Sequence, residues 1–183
     1  MMEIRFPQTA EHAHEVADLV LRVGKRLDLS RKVLAEAEMA SRFHDIGKAA
    51  VPEGVLLKPG PLNQIERGLM ACHVEWGAEL LRHLPDCEAI ALIVRHHHER
   101  WDGGGYPDGL ERDEIPRVSR LIAVCDAYAA MVEDRPYRPA LDPDEARDEL
   151  LRGAGSQFDP GAVKALLRAM SPGANGDGEE SHS

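Results

Sequence analysis

The chain has 183 residues, 43% of them hydrophobic and 30% charged, enough to bury the core of one globular domain. Its net charge of −10 argues against a broad nucleic-acid or anionic-membrane surface, so an anionic ligand would need clustered Arg and Lys or bound cations. There is no run of about 18 apolar residues for a membrane span, no signal-peptide core in MMEIRFPQTA and no Cys-x-x-Cys, so Cys72, Cys87 and Cys125 read as reduced thiols in a cytoplasmic protein.

In chain order, Ala13, Val16, Ala17, Val20, Leu21, Val23 and Leu27 lie near one face of a helix predicted over Thr9 to Leu27. Ser30 caps a second helix predicted to run through Ile46, with Gly47 at its C-terminal end. Residues 49–61 hold three prolines and two glycines and read as a loop. Helices are predicted from Leu62 to about Leu84 and from Asp86 to about His98. A glycine-rich loop follows over 102–117, then an apolar helix from Val118 to about Val132. Shorter helices are predicted over Pro143 to Leu151 and Pro160 to Met170. The end, 171–183, is rich in Gly, Ser and acidic residues and is expected to be disordered. No alternating strand pattern occurs, so the fold class is all-α, with one domain over residues 1–170.

His12, His44, Asp45, His73, His97, His98 and Asp126 are dispersed over five of these helices. Adjacent residues on a helix diverge by about 100°, so a pair such as His44-Asp45 can serve two neighbouring cations. Asp126 lies in LIAVCDAYAAM, which otherwise reads as core, and a buried carboxylate there requires a cation or strong donors. Imidazole and carboxylate donors together suit iron, manganese, zinc and similar ions.

Two motifs carry a resemblance. FHDIGK at 43–48 resembles the His-Asp signature of the HD superfamily of metal-dependent phosphohydrolases, and HHERWDGGGYPDGL at 97–110 is similar to the signature of its HD-GYP branch, with Gly105-Tyr106-Pro107 as the named tripeptide. VPEGVLLKPG, ACHVEWGAELL, AVCDAYAAM, DRPYRPA and GSQFDP follow the family's order, so the resemblance covers residues 12 to about 168. It implies a helical bundle around a central metal site and hydrolysis of cyclic di-GMP to pGpG and on to GMP. It also implies metal ligands at His12, His44, Asp45, His73, His97, His98 and Asp126, with Asp45 bridging two divalent transition-metal ions, iron or manganese first, with zinc, nickel or cobalt as alternatives. Asp45 and Lys48 are the expected catalytic residues, and Lys48, Arg135 and Arg138 the expected substrate-phosphate contacts.

Two departures bear on function. Where some members carry a Glu that binds a third ion, Gln8 stands four residues before His12, so two ions are expected. Ala129 replaces the second Asp of the pattern after Asp126, which removes an acidic group expected at the site rim and bears on activity or substrate preference rather than on metal binding. Another cyclic dinucleotide or nucleotide, or a non-catalytic cyclic di-GMP sensing module, are the alternative readings. A regulatory protein or a second copy of the chain is a possible partner. Within the glycine-rich motif, His96 reads as a bystander, and Glu99 and Asp102 as loop-holding acceptors. Trp101 reads as an apolar anchor, and Tyr106-Pro107 as a stiff turn.

Overall fold

The computed structural model describes residues 7–134 and 139–171, with side chains from residue 11 onward. Arg135, Arg138, the side chain of Gln8 and the tail from 172 lie outside the described residues. Among those described there are helices and isolated bridges but no strands, and no helix is long and apolar enough to cross a membrane.

Helix α1 (Pro7–Arg26) buries Ala13, Val16, Ala17, Val20 and Val23 of the predicted stripe, while Leu21 and Leu27 at its edge are only partly buried. Asp28 turns the chain with a positive φ of 51°, and Ser30 Oγ accepts from Val33 N–H at 3.3 Å to start α2 (Arg31–Phe43). Small residues Ala37, Ala40 and Ser41 form the buried face of α2 and let α1 and α2 pack closely.

The chain leaves α2 earlier than predicted. Helix stops at Phe43, His44 and Asp45 form a turn, and Ile46–Ala50 is 3-10 helix. The predicted loop holds a short helix, α3 (Glu53–Leu56). The long helix predicted from Leu62 is divided: α4 (Gln64–Ala71) starts in a capping box between Asn63 and Glu66, and α5 (His73–Arg82) follows after a break at Cys72. Helix α6 (Glu88–Arg95) ends before the histidine run, so His97 and His98 occupy a turn rather than the helix itself.

Helix α7 (Arg117–Val132) is the central element, burying Val118, Leu121, Ile122, Val124, Cys125, Tyr128 and Ala129. Its Ser119 Oγ donates to Ile93 O at 2.9 Å, fixing the end of α6 against it. Helices α8 (Pro143–Gly153) and α9 (Pro160–Met170) each begin with proline after an aspartate cap, Asp142 and Asp159, and complete a single hydrophobic core.

Gly47 controls how the turn after α2 meets α5. A Cβ there would lie 1.9 Å from His73 O and 2.6 Å from Gly77 N, so only glycine admits this approach.

Candidate metal centre

The broken helices have a common consequence. His44, His73 and His97 each follow a helix end, where the last-turn carbonyls have no intrahelical partner. Each imidazole uses Nδ1 to bond such a carbonyl: Ser41 O at 2.6 Å, Met70 O at 2.7 Å and Val94 O at 2.7 Å. A carbonyl only accepts, so Nδ1 carries a proton and donates, and Nε2 points inward, a lone pair wherever the ring is neutral. All three Nε2 atoms are buried with no hydrogen-bond partner among the described residues, as is Asp45 Oδ1.

Asp45 stands between two sets of donors. Its Oδ1 is 3.3 Å from His73 Nε2 and its Oδ2 is 3.4 Å from His44 Nε2. On one side, ligand atoms of Asp45, His73, His97 and His98 all lie within 4.8 Å of one another; on the other, so do those of His12, His44 and Asp126. His12 Nε2 is 2.7 Å from Asp126 Oδ1, and the His44 and His97 rings join the groups at 5.1 Å between centroids. Every ligand candidate from the sequence thus falls in one of two adjoining groups. The unpartnered nitrogen and oxygen atoms suit divalent transition-metal ions in both.

Electrostatics divide the histidines. Burial disfavours charge on His44, yet the carboxylates of Asp45 and Asp126 raise it to about 9. Burial opposes ionisation of Asp45 as well, but Lys48 and His44 hold its carboxyl well below the usual range. Asp126 is likewise held low, by His12 and His44 against burial. His97 is lowered well below its ordinary value by burial, and His98 falls to about 3 for the same reason, so both are neutral donors at pH 7. The two carboxylates attract cations, and neutral His97 and His98 offer lone pairs, whereas His44, charged at pH 7, must give up its Nε2 proton to bind one.

Lys48 is in the 3-10 helix, and its Nζ donates to Asp45 Oδ2 at 2.6 Å. The end of α2 at Phe43 and the 3-10 turn that follows bring Lys48 beside Asp45. Ala129 is 1% exposed and lies in the hydrophobic core, not on an open rim.

The glycine-rich loop is a wall of the site. The Tyr106 ring lies 5.0 Å from that of His98, and burial pushes its hydroxyl pKa up. Buried Glu99 accepts through Oε1 from Asp108 N–H at 2.7 Å and Gly109 N–H at 3.1 Å, and Asp102 Oδ1 accepts from Gly104 N–H at 3.1 Å. A Cβ on Gly105 would sit 2.3 Å from Arg100 N, so the loop folds back on its own start. Trp101 donates its N–H to Gln157 O at 3.1 Å and lies under the Arg120 guanidinium, which makes it an anchor to the α8–α9 turn. His96 turns away from the cluster: its Nε2 meets Asp108 Oδ2 at 2.8 Å, and Arg95 grips both oxygens of the same carboxylate at 2.7 and 2.8 Å. Arg95 already supplies positive charge there, so this group latches the loop. Sequence reasoning missed Asp108 and Glu133, whose Oε2 lies 3.5 Å from His12 Nδ1; its spacing of seven residues from Asp126 was the available signal.

Residues 1–162 match the model of the HD domain. The chain is 40% identical over 169 residues to the cyclic di-GMP phosphodiesterase response regulator RpfG of Xanthomonas campestris pv. campestris, covering 91% of this chain and 45% of that protein. It is 34% identical over 168 residues to 3'3'-cGAMP-specific phosphodiesterase 2 of Vibrio cholerae, covering 91% and 32% respectively. The solved structure of Bd1817, a HDG"Y"P protein from Bdellovibrio bacteriovorus, superposes with a TM-score of 0.70 at 17% identity, covering 87% of this chain and 51% of that one. The chain belongs to the HD-domain family, in its HD-GYP branch. It spans less than half the length of these curated relatives.

Proposed function

We propose that the chain is the catalytic part of a metal-dependent phosphodiesterase that hydrolyses cyclic di-GMP to pGpG, with GMP as the further product, acting in the cytoplasm. The observation that carries this is the convergence of three buried, partnerless Nε2 atoms on the two sides of one carboxylate. His12, His44 and Asp126 would hold one ion and His73, His97 and His98 the other, with Asp45 bridging. Iron and manganese fit the mixed nitrogen and oxygen donors best. When bound, such a pair supplies Lewis acidity toward phosphate oxygens and acidifies water, the chemistry that phosphodiester hydrolysis needs.

The chain's own part is positional. The backbone carbonyls at Ser41, Met70 and Val94 fix the imidazoles before any ligand arrives, so little reorganisation is needed. Lys48, partly exposed beside Asp45, offers an ammonium to a phosphate oxygen that enters from solvent. Arg135 and Arg138 follow α7 in sequence and are proposed to grip the substrate phosphates, adding to the charge of Lys48 in an acidic chain. Water's oxygen would join phosphorus as the bond to a 3′ oxygen breaks; one water proton ends on that oxygen as a free 3′ hydroxyl, and the phosphate stays on the 5′ oxygen of pGpG.

A second reading keeps the site and changes the substrate to 3'3'-cGAMP, favoured by the names of relatives at 31–35% identity. Nucleotide chromatography after incubation with each cyclic dinucleotide, with and without chelator, separates the readings. Chelator-sensitive conversion of cyclic di-GMP to pGpG is expected. Conversion of 3'3'-cGAMP alone would favour the second reading, and no conversion of either by metal-loaded protein would leave a non-catalytic sensing module.

A further inference from the structure

We propose that Glu133 is the positioning carboxylate for His12, a role that rests on the metal-centre reading above. His44, His73 and His97 are oriented by carbonyls at helix ends, but His12 lies within α1, where the helix uses its own carbonyls. Its Nδ1 is buried and lacks a hydrogen bond, and the Oε2 of Glu133 lies 3.5 Å from it. On the opposite edge of the ring, Asp126 Oδ1 is 2.7 Å from Nε2. Asp126 and Glu133 are seven residues apart, about two helical turns, so α7 and the residue just beyond its end flank the imidazole on both edges.

The clamp supports the tautomer that a metal requires. Asp126 Oδ1 only accepts, so at 2.7 Å it holds a proton on Nε2 of His12. A cation at Nε2 displaces that proton and leaves the ring protonated on Nδ1, the edge that faces the Glu133 carboxylate. Without Glu133 that Nδ1–H would be buried with no acceptor, and the ring would keep its proton on Nε2 in competition with the cation. A cation at Nε2 makes Nδ1–H a stronger donor, so the two interactions reinforce each other.

The test uses the whole chain loaded with zinc, a diamagnetic probe. Chelator competition measures zinc affinity, and long-range proton–nitrogen spectra report the His12 tautomer. Glu133→Ala is expected to weaken one zinc site by about 10–100-fold, leaving the other within about 2-fold of wild type. Glu133→Gln, whose amide oxygen still accepts from Nδ1–H, is expected to keep most of the affinity and the Nδ1-protonated form. Wild-type zinc binding and an unchanged His12 tautomer in the Ala variant would overturn the role of Glu133 alone. A loss in the Gln variant as large as in the Ala variant would make Glu133 a ligand and also overturn it. Wild-type protein that binds no zinc would overturn the metal-centre reading as well.

Discussion

Asp45→Ala is expected to lose turnover by at least about 10³-fold and to lower the content of both ions. The carboxylate meets His73 through one oxygen and His44 through the other, so its removal opens both donor sets at once. It also leaves Lys48 without its 2.6 Å partner beside buried imidazoles, adding positive charge where cations should sit. Lys48→Ala is the contrasting variant. It removes no ligand, so metal content should hold while turnover falls, because charge at the phosphate is lost. Elemental analysis alongside steady-state kinetics checks both. Equal loss of metal in the two variants would contradict this division of roles.

Gly47→Ala should be the most damaging single methyl group in the chain. The added Cβ would meet backbone atoms, His73 O at 1.9 Å and Gly77 N at 2.6 Å, which no rotamer change can relieve. Overpacking of this kind costs about 3 kcal/mol or more, a fall in Tm of about 6–12 °C for a domain of this size. The displacement also separates Asp45 from His73, so metal affinity should fall together with stability. A thermal melt within about 1 °C of wild type, with metal retained, would show that the turn after α2 yields more than this packing allows.

The candidate donors that the structure brings together were legible in the sequence through the His-Asp and Gly-Tyr-Pro motifs and through Asp126, a carboxylate within an otherwise apolar helix. The all-α class and the extents of α7 and α9 were readable from apolar periodicity and from proline at the start of α9. The breaks after Phe43, Ala71 and Arg95 were not. Helical periodicity continues past each, and no proline stops the chain there. The breaks are held instead by histidine Nδ1 bonds to last-turn carbonyls, and for the first by the contact that Gly47 permits. These same breaks turn Nε2 of His44, His73 and His97 inward, so the unpredicted part of the fold is what makes the site. The partner of His12 was hidden for a related reason: Glu133 lies just beyond α7 and acts across the bundle.

Metal analysis of protein purified without chelator tests the central claim most directly. Two adjoining donor groups, with Asp45 of the first 3.4 Å from His44 of the second and Gln8 in place of a carboxylate four residues before His12, predict two transition-metal ions per chain. A stoichiometry near three with Gln8 in the coordination shell would contradict the dinuclear site. Failure to bind any transition metal would contradict the metal centre itself.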